Sequence, residues 1–277
     1  MQDRYAGDVG DFLKYALLRW LCAADASHPA LRLGVVWYLV PDEDHNADGK
    51  HVAYLNPARR QAAHLRTLDP DLYDRLATVV QSRQRSVAAI EAAGVLPPGA
   101  ATFASPLDFR DVDRQARSER LARRRSWLNR ALIATSGCDL IFADPDNGIR
   151  LAGHPTPRSR TRAVKHAYID ELAEFVARGQ SLVVYHHADR SGSIEDQVQW
   201  RLAELSQEVP GCTPLGCVIA RKGSVRLFLV AAAESHRALL CERMQGLRTS
   251  VWAKVLEVKQ WPGSGHLAGY PWRGAID

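Results

Sequence analysis

The chain has 277 residues, 46% of them hydrophobic and 24% charged, and its formal net charge of +5 permits a nucleic-acid partner without requiring one. No apolar run approaches the ~18 residues of a membrane span and no signal-peptide pattern begins the sequence, so we expect a cytoplasmic protein that does not contact membranes. The five cysteines are scattered, so neither a disulfide framework nor a structural zinc site is expected.

The N-terminal part of the chain is predicted to alternate between helix and strand. Apolar residues recur at helical spacing over Asp11–Ala24, whereas the continuous apolar run Leu33–Val40 is typical of a strand buried on both faces. An acidic loop, 42–49, follows this strand. Residues 56–84 then form an arginine-rich helical segment. The Asp69–Pro70 step divides it into two helices, because the residue before a proline disfavours helical backbone.

Two short strands are predicted next, over Ser86–Glu91 and Ala101–Phe109, and an arginine-rich helix follows. On that helix, steps of three or four residues place several arginines in one basic stripe. The stripe consists of Arg110, Arg114, Arg117, Arg120 and Arg124. Because guanidinium groups bind phosphate bidentately, Arg117, Arg120 and Arg124 are predicted to hold a nucleic-acid backbone. The alternative is a solvated helix face whose arginines pair with neighbouring carboxylates.

A strand predicted over Leu140–Ala143 leads directly into the turn Asp144-Pro145-Asp146-Asn147-Gly148. In open α/β sheets, ligands bind beyond the carboxyl ends of the strands. A turn with two carboxylates at that position therefore predicts a functional site. The alternative is an ordinary turn, since aspartate, proline, asparagine and glycine are also common turn formers.

The remaining elements complete an α/β pattern. A helix is predicted over Tyr168–Arg178, a strand over Ser181–Tyr185, and a helix over Glu195–Ser206. Leu215–Ala220 and Val225–Ala231 are predicted to form a hairpin. This order predicts an α/β fold with a Rossmann-like, mostly parallel sheet, helices on both faces and an antiparallel C-terminal hairpin. No linker divides the chain, so the whole sequence is expected to form one domain, with the helical segment after the first strand as a small insertion.

The order of elements is similar to that of class I S-adenosylmethionine-dependent methyltransferases. The opening segment Tyr5-Ala6-Gly7-Asp8-Val9-Gly10-Asp11-Phe12-Leu13-Lys14-Tyr15 resembles the H-A-G-N-x-A-D-V-L-K-H opening of the RlmJ family, the bacterial 23S rRNA adenine-N6 methyltransferases. Asp144-Pro145 stands where that family has its D-P-P-Y motif. Val184-Tyr185-His186 stands where the family has an aromatic pair at the end of a strand.

The resemblance implies transfer of a methyl group from S-adenosylmethionine to an amino group of a nucleic-acid base, with RNA as the expected substrate. Asp144 would accept hydrogen bonds from the amine, Pro145 and Asp146 would shape the target pocket, and Tyr185 would offer a stacking surface for the base. The residues expected at the cofactor are Lys14, Tyr15, Asp42, Glu91 and Asp108. Among them, Glu91 would bind the ribose, as an acidic residue at a strand end does in this kind of fold.

Two departures from the family leave other functions open. The loop after the first strand lacks the glycines that let a cofactor approach the backbone, and Asp146-Asn147 replaces the Pro-Tyr pair whose ring stacks on a flipped base. One alternative is a metal-dependent nuclease or phosphoesterase with a divalent ion held by loop carboxylates and histidines. Its candidate ligands are Asp42, Glu43, Asp44, His45, Asp48, Asp144, Asp146, His186, His187 and Asp189. The other alternative is a non-catalytic nucleic-acid-binding protein that has kept the sheet.

Overall fold

The structure is a computed structural model that describes residues 1–43, 49–113, 115–150 and 157–263. Its strands are β1 (Leu33–Val36), β2 (Ala101–Phe103), β3 (Leu140–Ala143), β4 (Gly148–Arg150), β5 (His166–Tyr168), β6 (Ser181–His187), β7 (Cys212–Ala220), β8 (Arg226–Ala233) and β9 (Leu256–Gln260). Seven strands form one sheet in the order β2-β1-β3-β6-β8-β7-β9, and β4 pairs with β5. The first four strands of this order run parallel, whereas β8 is antiparallel to both of its neighbours.

Helices cover both faces of the sheet. They are α1 (Val9–Cys22), α2 (Arg60–Leu68), α3 (Pro70–Gln81), α4 (Val87–Ala92), α5 (Arg117–Ala134), α6 (Ile169–Val176), α7 (Ile194–Glu208) and α8 (Arg237–Thr249). Successive strand residues point to opposite faces, and so they enter two separate hydrophobic cores. In β3, Leu140 and Phe142 pack in the core with α1, α3, α4 and α8. Ile141 and Ala143 pack in the core with α5, α6 and α7. The predicted α/β class with helices on both faces is confirmed.

Two of the predicted strands are corrected by the structure. Ser86–Glu91 is not a strand, because Val87–Ala92 forms α4 and Ser86 caps it by accepting a hydrogen bond from the backbone N–H of Ala89 at 3.0 Å. The alanine-rich sequence of this segment also favours a helix. The strand predicted over Ala101–Phe109 is limited to its first three residues. The sheet therefore lacks one of the predicted parallel strands.

Other element boundaries follow from local backbone chemistry. The strand predicted over Leu33–Val40 ends early, and Tyr38 has a φ of +43°, which a strand residue does not adopt. The predicted break before Pro70 is confirmed, since Asp69 caps α3 through the N–H of Leu72 at 2.9 Å. Helix α8 and strand β9, which extend the fold beyond the predicted hairpin, have no counterpart in the sequence prediction. Each helix in the described part of the chain is too short or too polar to span a membrane.

Candidate functional site

A polar cleft of about 670 Å³ opens at the carboxyl edge of the parallel strands. Its walls come from the N-terminus of α1, the segment after β1, the turn after β3, the end of β6 and the start of β8. The charged residues that line it are Asp8, Asp11, Lys14, Glu43, Asp144, Asp146, Arg150, Arg162, Lys165 and Arg226. Because ligands of open α/β sheets bind at this edge, the cleft is the candidate functional site.

At the floor of the cleft, the ammonium group of Lys14 lies between two carboxylates. Lys14 Nζ is 2.7 Å from Asp11 Oδ1 and 2.8 Å from Asp144 Oδ2, and each of the three side chains is only 5% exposed. Burial acts to lower the pKa of Lys14, but the two carboxylates outweigh it and raise the pKa to about 12. Lys14 therefore stays protonated at neutral pH and holds the two carboxylates together.

Aromatic rings enclose the same ammonium group. Lys14 Nζ lies 5.0 Å from the ring centroid of Tyr15, 5.3 Å from that of Trp37 and 5.9 Å from that of Phe142. Cation–π attraction at these distances adds to the ion pairs. Tyr15 itself is fully buried and does not line the cleft, so the structure gives it a packing role beneath Lys14 rather than the predicted contact with a cofactor.

Asp144 lines the cleft, and a cation holds one of its two carboxylate oxygens. Its Oδ2 binds Lys14, and no hydrogen-bond donor in the described part of the chain contacts Oδ1. The backbone of Asp144 is fixed as well, because its N–H donates to the carbonyl of Val36 at the end of β1, 2.9 Å away. Pro145 lines the cleft beside it. Asp144 is therefore placed to accept a hydrogen bond from an N–H or O–H group of a ligand.

Asp146, the second carboxylate of the turn, binds a different cation. Lys165 Nζ lies 3.2 Å from Asp146 Oδ2, and the side-chain amide of Gln2 donates to the same oxygen at 2.9 Å. Burial acts to raise the pKa of Asp146, but the N-terminal ammonium of Met1, the Gln2 amide and Lys165 outweigh it and lower the pKa. Lys165 also pairs with Glu43 at 2.6 Å, which ties the turn to the segment after β1.

A glycine lets the turn pack against the end of β6. Gly148 has a φ of +101°, and a Cβ there would lie 2.8 Å from His186 Cγ and closer still to Nδ1. The next residue, Ile149, donates its backbone N–H to His186 Nδ1 at 3.0 Å. Burial, with a further contribution from Arg201, lowers the pKa of His186 to about 3, so the ring stays neutral. His186 is thus an internal hydrogen-bond acceptor that positions the turn.

Tyr185 and Arg226 line the cleft beside β6 and β8. Tyr185 is partly buried, and its ring packs edge-on against Phe228 with centroids 6.0 Å apart. Arg226 Nη2 binds Asp8 Oδ2 at 2.8 Å, and any side chain at Gly10 would overlap its guanidinium group. All four predicted catalytic side chains, those of the turn and Tyr185, therefore line one cleft.

Sequence reasoning missed several cations of the cleft. These are Arg150, Arg162, Lys165 and Arg226. Only Arg226 could have been predicted from the sequence. It stands at the start of an otherwise apolar strand, where a buried charge needs a partner. The other three follow from no periodicity in the sequence.

Most of the residues predicted to bind the cofactor lie outside the cleft; of the five, only Lys14 lines it. Glu91 lies in α4, where its carboxylate accepts a hydrogen bond from Trp37 Nε1 at 2.7 Å. Trp37 and Tyr38, both fully buried, follow β1 where the resemblance implies a glycine-rich turn. The residues implied for the adenosine part of S-adenosylmethionine therefore do not fit this structure.

Asp42 and Asp108, the other acidic residues predicted at the cofactor, are engaged by neighbouring chain segments. Asp42 Oδ1 accepts a hydrogen bond from the backbone N–H of Arg4 at 3.2 Å. Asp108 pairs with the guanidinium of Arg110 at 2.8 Å and also accepts from its backbone N–H. Asp42 thus ties the segment after β1 to the N-terminal segment, Asp108 stabilises its own turn, and neither lines the cleft.

The predicted basic stripe on α5 is wrong for two of its members. The guanidinium of Arg124 is buried and binds the carboxylate of Glu171 through contacts of 2.5 and 2.8 Å. Arg120 is also buried, and it donates to backbone carbonyls, among them that of Ser159 at 2.8 Å. Arg117 is exposed at the start of the helix. Because Arg120 and Arg124 are buried and bind other groups of the protein, they cannot hold a phosphate backbone.

No three histidine, cysteine, aspartate or glutamate side chains within the described ranges are grouped closely enough to hold a metal ion. The ammonium of Lys14 fills the space between Asp11 and Asp144. Three of the candidate ligands lie outside the described residues: Asp44, His45 and Asp48.

No protein-family model matches this sequence, and a search of the curated proteins finds no significant match. The fold and the cleft are therefore the basis for a functional assignment.

Proposed function

We propose that this protein is an enzyme that modifies an amino group of a nucleic-acid base, with the base in the cleft and its amino group at Asp144. The observation that carries the proposal is the Lys14–Asp144 pair. Lys14 fixes one oxygen of this cleft-lining carboxylate, while the other has no hydrogen-bond donor among the described residues. A carboxylate oxygen held in this way can accept a hydrogen bond from an amine and orient the lone pair of its nitrogen. Asp144 is thus the proposed catalytic residue and Lys14 a positioning residue.

Two features of the fold support the proposal. The opening segment and the Asp144-Pro145 turn, on which the resemblance depends, meet in one cleft although Lys14 and Asp144 are 130 residues apart. The reversed strand β8 lies between β6 and β7, so the predicted hairpin extends the four parallel strands, and β9 forms the edge of the sheet. Methyl transfer from S-adenosylmethionine stays a prediction. The residues expected at the adenosine do not fit, and Lys14 alone of the predicted set lines the cleft.

The metal-dependent alternative has less support. A phosphoesterase site needs carboxylates that share a divalent ion, whereas the closely spaced carboxylates of Asp11 and Asp144 share a lysine. A purely nucleic-acid-binding role also has less support, because Arg120 and Arg124, two of the three arginines predicted to bind the nucleic acid, are buried.

The test compares the native protein with Asp144→Asn, which keeps the shape of the side chain and removes its charge. A hydrogen bond to a charged acceptor contributes about 1.5 to 3 kcal/mol, so we expect adenosine to bind roughly 10 to 100 times more weakly to the variant. Purine riboside, which lacks the amino group, should bind both proteins equally. Isothermal titration calorimetry measures both affinities, and circular dichroism checks that the variant is folded.

A turnover assay completes the test. Transfer of labelled methyl groups from S-adenosylmethionine to RNA should fall by roughly a hundredfold in Asp144→Asn. Asp74→Asn is the matched control, because it removes an exposed carboxylate on α3 outside the cleft. Equal adenosine affinity of the native protein and Asp144→Asn would contradict the proposal, and so would a preference for purine riboside over adenosine. Binding of S-adenosylmethionine, titrated separately, decides whether methyl transfer is the reaction.

A further inference from the structure

Two exposed arginines lie in the segment 157–165, which borders the cleft, rather than on α5. Arg160 and Arg162 are both exposed, and Arg162 lines the cleft. The segment continues into Lys165, whose ammonium pairs with Asp146 and Glu43 inside the site. In the described part of the chain, no carboxylate or carbonyl binds the guanidinium groups of Arg160 and Arg162.

The segment contains two kinds of arginine, one that binds the protein itself and one that is exposed. Arg158 is of the first kind. Its guanidinium lies 4.3 Å from the ring centroid of Tyr168 and pairs with Asp170, so it anchors the segment to α6. Among the described residues, Arg160 and Arg162 have no such anchor, and both side chains are exposed. Their charges are therefore available to an anionic partner, while Arg158 and Lys165 fix the segment beside the cleft.

We infer that Arg160 and Arg162 contact the phosphate backbone of a single-stranded nucleic acid whose base occupies the cleft, an inference that rests on the proposed function. An enzyme that acts on a base must take it out of the stack, so the phosphates on either side of that base stay at the mouth of its pocket. Guanidinium groups recognise phosphate bidentately, and such contacts set the register of the strand without reading its sequence. The exposed arginines of 157–165 thus take the role that the sequence predicted for α5.

The experiment compares two double variants that each remove two positive charges. Arg160→Gln with Arg162→Gln alters the mouth of the cleft, whereas Arg117→Gln with Arg130→Gln alters exposed positions on α5. Fluorescence anisotropy measures binding of a short labelled single-stranded RNA at several salt concentrations. Each phosphate contact that is lost should reduce the slope of log affinity against log salt by about 0.7, so the cleft variant should lose about 1.4. The α5 variant should keep the native slope.

Three results would overturn the inference. They are an unchanged slope in the cleft variant, an equal reduction in both variants, and a native protein that does not bind the RNA even at low salt. Free adenosine provides a separate readout, because its binding depends on Asp144 and involves no phosphate. Intact adenosine recognition together with an unchanged slope refutes the phosphate-binding surface alone. A native protein that does not distinguish adenosine from purine riboside refutes the proposed function itself.

Discussion

Replacement of Lys14 by methionine tests whether a buried cation holds the floor of the cleft together. Methionine matches the length of the lysine stem but leaves Asp11 and Asp144 as buried carboxylates without the ammonium that lies 2.7 and 2.8 Å from them. Removal of one partner from a buried ion pair costs about 3 to 5 kcal/mol. Loss of the cation–π contacts adds to this cost. We therefore expect the free energy of unfolding at pH 7 to fall by about 3 to 5 kcal/mol.

The destabilisation by Lys14→Met should depend on pH. Two carboxylates that share a buried site repel each other when both carry a charge, so the variant regains stability when acid neutralises one of them. The deficit should therefore be larger at pH 7 than near pH 4. In the native protein, the pKa of Lys14 is raised from 10.5 to about 12. The resulting stabilisation is fully present below about pH 10.5 and is lost as the pH rises through about 12.

Urea unfolding at pH 4 and pH 7, followed by circular dichroism, measures both effects. Lys50→Met is the control, because Lys50 is an exposed lysine whose replacement should change the free energy of unfolding by less than about 0.5 kcal/mol. A loss below about 1 kcal/mol at pH 7, or the same loss at the two pH values, would refute the reasoning.

Two further comparisons test the packing around the cleft. Gly148→Ala should lower the urea midpoint more than Gly179→Ala. Both glycines have a positive φ, a conformation that costs other residues about 1 to 3 kcal/mol. Only at Gly148 would the added Cβ also collide with His186. Equal shifts would show that the turn does not depend on His186. Arg124→Met should lower the free energy of unfolding by about 3 to 5 kcal/mol, whereas exposed Arg117→Met should change it by less than about 0.5 kcal/mol. Similar effects of the two substitutions would contradict the buried ion pair.

The sequence by itself determined the elements whose pattern has only one interpretation. Leu140–Ala143 is apolar throughout and ends at a turn, so its boundaries agree with those of β3. Because parallel strands share a carboxyl edge, the sequence also placed the turn and Tyr185 at one site, and both line the cleft. Ser86–Glu91 was ambiguous, since a short apolar run fits either a strand or a helix, and the cap provided by Ser86 favours the helix.

Only the tertiary structure decided which charges face solvent. Helical spacing shows that Arg120 and Arg124 share a face of α5, but it cannot show whether another element covers that face. Arg124 is buried because Glu171, 47 residues away in the chain, lies opposite it. Arg226 meets Asp8 across 218 residues in the same way. Such pairs depend on the approach of elements that are distant in sequence, and no local pattern records that approach.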